Sequence, residues 1–174
     1  MKINIIGTSG SGKSTLAKQV AEKLSIPHIE IDSLFWGPDW TPVEEQIFLD
    51  RLKTALDQPA WVMDGNYTKT YDLRFQQTDM IIWIDFSLAR TLLQALRRAI
   101  FRIISGKELW QDTGNVETLG KLFSKDSILL WTLKTHKTNR IKYQNLMQDE
   151  HYSHIQFIHL RSSREIKQFL TELD

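Results

Sequence analysis

Lys2-Ile3-Asn4-Ile5-Ile6 runs without a break into Gly7-Thr8-Ser9-Gly10-Ser11-Gly12-Lys13-Ser14-Thr15. The first five residues are a short β-branched run, and apolar residues then return at helical spacing at Leu16, Val20, Ala21 and Leu24. Between this predicted strand and helix, the loop fits G-x-x-x-x-G-K-[ST] at every fixed position. Its glycines let backbone N–H groups turn inward around an anion, and the helix behind them aims its positive end at the same charge. Gly7, Ser9, Gly10, Ser11 and Gly12 are therefore expected to cradle the phosphates of ATP, with Lys13 reaching the β- and γ-phosphates, Ser14 ligating Mg²⁺ and Thr15 turned toward the α-phosphate. The competing reading is a Gly/Ser-rich turn, against which the flanking strand and helix both argue.

The rest of the chain extends the same alternation. His28 to Ile31 is a predicted second strand ending at Asp32, and Leu34-Phe35-Trp36-Gly37-Pro38-Asp39-Trp40 reads as an aromatic, proline-punctuated loop. Thr41-Pro42-Val43-Glu44 has the form of a capping box for a helix carrying Ile47, Leu49, Leu52 and Leu56. Trp61-Val62-Met63 and Met80 to Ile84 are apolar enough to be strands buried on both faces, ending at Asp64 and Asp85. Helices follow over Leu88 to Ile104 and from near Ser127 to Met147. Ile155 to Leu160 is the last strand, and Ser162-Ser163-Arg164-Glu165 caps the closing helix. Strands alternating with helices predict an α/β fold, a parallel sheet covered on both faces.

Composition narrows the function classes. The 174 residues suit one domain spanning 1–174, with no repeat, low-complexity tract or linker. Lys plus Arg number 22 against 21 for Asp plus Glu, so no global field steers the chain onto DNA or an anionic membrane. Cysteine is absent, which excludes disulfides, thiolate metal sites and cysteine nucleophiles. No apolar run approaches the ~20 residues that span a bilayer. The N-terminal run is too short for a signal peptide, and a cytoplasmic location is expected. The five histidines have no metal-ligand spacing.

Ile31-Asp32-Ser33-Leu34-Phe35-Trp36, Trp61-Val62-Met63-Asp64-Gly65-Asn66-Tyr67, and Asp72-Leu73-Arg74 with Ile81-Ile82-Trp83-Ile84-Asp85 follow the phosphate loop in that order. Together they resemble the DNA topology modulation (FlaR-type) proteins, a branch of the adenylate kinase-like P-loop kinases, strongly to about Arg98 and weakly after it. The resemblance implies a three-layer P-loop NTPase fold with a five-stranded sheet of order 2-3-1-4-5. It also implies an acceptor-side insert over about residues 33–60, a mobile lid over about 105–126, and ATP and Mg²⁺ as cofactors. No helix-turn-helix, zinc finger or basic face accounts for an effect on DNA, so nucleic-acid binding is not carried over.

Four further residues complete the candidate site. Asp64 ends a buried strand beside the loop, where a carboxylate holds Mg²⁺ or its waters, unless it only caps the turn before Gly65. Asp32 reads as a general base or acceptor-orienting group, or else as a cap. Arg74 matches a family arginine that clamps the acceptor or the transferring phosphoryl group, with a surface salt bridge as the alternative. Arg98 aligns with an arginine facing the phosphates from the lid helix, and Arg140 is a candidate to approach from the second lid helix. Trp36, Trp40 and Tyr67 either wall off a small substrate or pack locally.

These residues give two functions. One is a Mg²⁺-dependent kinase passing the γ-phosphoryl group of ATP to a nucleotide or other small-molecule acceptor. The other is a nucleotide-gated regulatory protein of the topology modulation type with little turnover. Gln94, standing where an arginine commonly faces the base, and the lid entry Gly106-Lys107-Glu108 favour the second.

Overall fold

Five parallel strands form one sheet in the order β2-β3-β1-β4-β5 in the computed structural model, which describes residues 1–110, 113–122, 124 and 127–173. The strands are β1 (Lys2–Gly7), β2 (His28–Glu30), β3 (Trp61–Asp64), β4 (Met80–Ile84) and β5 (Gln156–Leu160). The helices are α1 (Lys13–Leu24), α2 (Ile31–Phe35), α3 (Glu45–Leu56), α4 (Tyr71–Phe75), α5 (Leu88–Ser105), α6 (Leu119–Leu122), α7 (Ile128–Gln148) and α8 (Ser163–Glu172). This is the sheet order that the sequence resemblance implied.

Alternation along the strands builds three layers. Ile3 and Ile5 of β1, with Val62, Ile82 and Ile84, pack beneath α1 and α8 through Leu16, Val20, Ile166 and Phe169. On the opposite face Ile6, Ile81 and Trp83 meet Tyr71 and Phe75 of α4 and Tyr143 and Leu146 of α7, while Trp61 and Met63 meet Phe48, Leu52 and Leu56 of α3. Central strands β3 and β4 are buried at every position. Each fully buried Ile or Leu here is worth roughly 1.5–3 kcal/mol relative to exposure, so the sheet centre is the most costly place to disturb. Among the described residues no helix is long and apolar enough to cross a membrane.

Three local expectations are corrected. Ile31–Phe35, taken partly as strand and partly as loop, is a short helix, with Ser33 Oγ donating to the Glu30 carbonyl at its start. The Thr41 capping box does not form: α3 begins at Glu45 without a side-chain cap, because Pro42 bridges Trp36 and the Val43 amide donates to the Phe35 carbonyl. Tertiary pairing to the aromatic loop takes these residues away from the helix. The segment between β3 and β4, unassigned from sequence, holds α4. The capping box at Ser162 does form, its hydroxyl accepting from the Glu165 amide at 3.2 Å.

Candidate functional site

Consecutive strand ends bring the candidate residues together. β1 and β4 end side by side, with Gly7 opposite Ile84, and β3 lies on the other flank of β1 with Asp64 opposite Ile5. β2 pairs with β3 so that Glu30 faces Asp64, and α2 then presents Asp32. Two glycines let the pieces close. A Cβ on Gly10 (φ +83°) would lie 2.7 Å from the Ala95 Cβ and 3.0 Å from the Thr91 carbonyl oxygen, so the phosphate loop rests directly on α5. A Cβ on Gly65 (φ +141°) would lie 2.8 Å from the Ile31 Cβ, which ties the end of β3 to the start of α2.

The loop is shaped but its polar groups are unmatched. Among the described residues Lys13 Nζ reaches only the Thr8 carbonyl of its own loop, at 3.3 Å, and the buried Ser11 hydroxyl has no partner. Burial lowers the Lys13 pKa, opposed by Asp64 and Asp32 and reinforced by Arg98. Thr15 is exposed at the mouth of the loop and Ser14 is half-buried at the start of α1. The neighbouring Asn66 Nδ2 donates to the Gly7 carbonyl at 2.6 Å, fixing the loop entry.

Asp64 is 4% exposed, its Oδ2 is unpartnered among the described residues, and His28 Nε2 stands 3.8 Å from Oδ1. A buried carboxylate oxygen left bare is costly unless something charged or protic completes it. Asp32 keeps a solvent-exposed edge and accepts from the Tyr67 hydroxyl at 3.0 Å through Oδ1. Crowding by the surrounding protein raises the Asp32 pKa, against the pull of Lys13, Tyr67 and Arg98 and with the help of Asp64. Burial and the nearby Asp32 in turn push the Tyr67 phenol far up, so it stays a donor.

From α5, Arg98 faces the same group: burial lowers its pKa, Arg102 adds to this, and Glu117, Asp32 and Asp64 oppose it. Among the described residues its Nε has no partner, and neither does Gln94 Oε1 one turn earlier on the helix. Arg102 is engaged by Glu117 at 3.6 Å. Lys13, Asp32, Asp64 and Arg98 thus form one electrostatic cluster.

Arg74 departs from expectation. It is fully buried on α4, neither on the surface nor in the open cleft. Its Nη1 donates to Asn4 Oδ1 at 2.8 Å, Nε to Thr70 Oγ1 at 3.1 Å and Nη2 to the Tyr67 carbonyl at 3.4 Å. The guanidinium lies 5.2 Å from the Tyr71 ring centroid and 5.3 Å from that of Phe75. Burial lowers its pKa to about 10. No carboxylate pairs with it among the described residues, which removes the salt-bridge reading, and three of its five N–H groups are used in the core on Asn4, Thr70 and the Tyr67 carbonyl. Arg140 makes a bidentate pair with Asp85 at 2.9 and 3.0 Å, beside His159, and is likewise committed.

The aromatic loop packs on itself and on its neighbours. Phe35 meets Tyr67 at a centroid distance of 4.8 Å, Trp36 meets Trp40 at 6.0 Å, and Trp40 meets Trp110 of the lid region at 5.7 Å. Asn115, 1% exposed, clasps this loop: its Oδ1 accepts from the Trp40 amide at 2.8 Å and its Nδ2 donates to the Gly37 carbonyl at 2.9 Å. Sequence reasoning missed Asn115. The Gly114-Asn115 pair signals a turn, but nothing local signals a bond across 78 residues. The expected lid includes residues 111, 112, 123, 125 and 126, which lie outside the described residues.

The donor set fits Mg²⁺ in a limited way. Among the described residues no three His, Asp or Glu side chains converge on one point. The chain offers the Ser14 hydroxyl and the bare Asp64 Oδ2, and an octahedral ion would take its remaining ligands from water and phosphate oxygens. A groove of about 570 Å³ on the outer side of α2 and α3 is lined by none of the candidate site residues.

Sheet order and phosphate loop together define the fold of the P-loop kinases. Solved structures agree: shikimate kinase from Bacteroides thetaiotaomicron superposes with a TM-score of 0.54 at 18% identity, over 99% of this chain and 95% of that one. Deoxyadenosine kinase from M. mycoides gives 0.54 at 17%, over 99% and 98%. In sequence, the chain is 42% identical over 79 residues to an adenylate kinase of Agathobacter rectalis, covering 45% of this chain and 36% of that protein. It is 33% identical over 86 residues to a cytidylate kinase of Halalkalibacterium halodurans, covering 47% and 39%. The chain therefore spans well under half the length of the curated relatives it matches. No family model matches.

Proposed function

We propose that the chain is an ATP-dependent phosphotransferase of a small acceptor. The observation that carries the reading is the cluster of a glycine-shaped phosphate loop, a buried Asp64 oxygen without a hydrogen-bond partner among the described residues, and an Asp32 carboxylate facing Lys13. The loop amides and Lys13 hold the β- and γ-phosphates, and Arg98 faces the group in flight, where an arginine stabilises the spreading charge. A bound Mg²⁺ would neutralise phosphate charge, with Ser14 and Asp64 as the chain's share of its ligands. Asp32, held by Tyr67, orients the acceptor against the aromatic loop. Arg74 acts beneath the site as a positioning residue, through Tyr67 and Asn4. The relatives' names, kinases of nucleotides in sequence and of other small molecules in fold, support the class without naming the acceptor.

The test is ADP release from Mg²⁺-ATP over a panel of nucleoside monophosphates, nucleosides and small hydroxy acids, with Lys13→Ala alongside. One acceptor should raise the rate above background, and the variant should abolish the gain. If ATP binds and no acceptor raises turnover, the kinase reading fails. A second reading then stands, a nucleotide-gated binding protein like the topology modulation branch. It is favoured by the unpartnered Gln94 and by a lid entry whose Glu108 accepts from Thr113 and Gly114 within its own turn.

A further inference from the structure

We infer that the outer faces of α5 and α7 form a docking surface for an anionic lipid membrane, an inference independent of the kinase reading. Both helices rest their buried sides on the phosphate loop. Thr91 and Ala95 of α5 lie against Gly10, and Thr132 Oγ1 of α7 donates to the Ser9 carbonyl at 3.2 Å. The two helices also pack on each other, so their opposite sides turn away from the loop together.

Those outward sides are apolar where a helix facing water is normally polar. On α5, Leu93, Ile100, Phe101 and Ile104 recur at helical spacing and are exposed, Phe101 at 70% and Ile104 at 80%. Leu130 and Ile141 continue the exposed apolar surface on α7.

The charge of the pair is one-sided. Eight of the 22 Lys and Arg residues lie on these two helices with none of the 21 Asp and Glu residues, which leaves 14 cations against 21 anions elsewhere. A net charge near zero therefore conceals a separation in space. Some of the eight are engaged: Arg98 faces the cleft, Arg102 is held by Glu117, Arg140 by Asp85, Arg90 covers the Phe86 ring and Lys142 donates to Thr68. Arg97 on α5 and Lys134 and Lys137 on α7 are exposed among the apolar side chains, with no ion pair among the described residues.

This combination selects the occupant. A second copy bringing the same face would set cation against cation, which opposes symmetric pairing. A polyanion alone would use the cations and leave Leu93, Ile100, Phe101 and Ile104 in water. An anionic bilayer takes both: its headgroups attract Lys and Arg, and an apolar helix face sinks about 5–10 Å to the edge of the acyl region. The acidic remainder of the chain is repelled by the same surface, so the charge split also sets the orientation. Docked this way, the phosphate loop lies on the inner side of both helices, away from the lipid.

The experiment co-sediments the intact protein with vesicles of phosphatidylcholine alone or with about one third phosphatidylserine, at low and high salt. Wild type should bind the anionic vesicles about tenfold or more better than the neutral ones, and high salt should release most of it. Each cation near the surface contributes about fivefold in partition, so Arg97→Glu, Lys134→Glu and Lys137→Glu should each lower binding by at least that factor. The double variant Phe101→Ser/Ile104→Ser should lower it about tenfold or more. These positions are exposed, so thermal unfolding of every variant should match wild type, which shows that it is folded. Binding to neither vesicle, equal binding to both, or undiminished binding by the charge variants overturns the inference. Undiminished binding by the serine double variant marks a polyanion site and overturns it too. So does a dimer in sedimentation equilibrium without lipid that the double variant dissociates, because the face is then an interface between copies.

Discussion

Arg74→Ala separates a guanidinium that supports the site from one that grips a substrate. In the structure the substitution removes three hydrogen bonds of 2.8, 3.1 and 3.4 Å, strands Asn4 Oδ1 in a strand interior and leaves a void beside the stacked Tyr71 and Phe75 rings. Truncating a long buried side chain to alanine costs about 2–5 kcal/mol, and each stranded buried group about 1–3 more before relaxation. Against this, the drop of its pKa from 12.5 to about 10 means that the buried charge itself carries a penalty of roughly 3 kcal/mol, which the variant escapes. The net expectation, at the middle of these ranges, is a loss of about 2–3 kcal/mol, or on the order of 4–12 °C in Tm for a chain of this size. Arg74→Met refills the void and also sheds the charge, so it should recover about half of that loss or more. Urea and thermal unfolding of wild type and both variants give the stabilities, and steady-state kinetics on the same samples give KM for acceptor and ATP. Both variants should lower stability, in the order Ala below Met. Wild-type stability in Arg74→Ala together with a KM raised for the acceptor alone would refute this reasoning and restore the clamp.

Other expectations follow from single contacts. Gly10→Ala drives a Cβ to 2.7 Å from Ala95 at a φ of +83°, so it should cost about 2–5 kcal/mol and abolish stabilisation by ATP; unaltered unfolding with ATP would contradict the close approach. Lys13→Ala should leave the apo Tm nearly unchanged but remove most of the stabilisation, about 2.7 kcal/mol, that ATP at a hundred times its Kd confers on wild type. Asn115→Ala exposes the Trp40 amide and Gly37 carbonyl at a cost of about 2–4 kcal/mol local to the clasp, read as faster hydrogen exchange at Trp40; unchanged exchange would count against it. As a base, Asp32 works deprotonated, and its pKa is raised. Turnover should therefore fall with decreasing pH through a midpoint above the ordinary carboxylate value, and Asp32→Asn should lose that limb. The groups facing Asp32 are Lys13, Tyr67, Asp64 and Arg98, and loss of the limb in Asp32→Asn is what assigns it to Asp32.

What the sequence made legible was whatever is encoded within a few residues. The phosphate loop, the strands and the Ser162 capping box are fixed by local pattern, and each has the expected position. What failed was decided at long range. Thr41 to Glu44 has every feature of a helix start, yet pairing with Trp36 and Phe35 outcompetes it. Arg74 matched an arginine by position along the chain, but its direction was set by Asn4, 70 residues away, whose amide also receives no signal in a hydrophobic strand.

The same distinction explains how the site divides its labour. The phosphate loop itself is one continuous stretch, though it rests on Ala95 and Thr91 of α5 and its Lys13 faces Asp64 and Arg98. On the acceptor side, Asp32 comes from after β2, Tyr67 from after β3, and Asn115 reaches the aromatic loop from beyond α5. Changing any one of these contacts alters the acceptor wall and leaves the phosphate loop intact. Because the wall around Asp32 is assembled from scattered contacts, single substitutions there can reshape it while the phosphate-loop pattern stays unchanged.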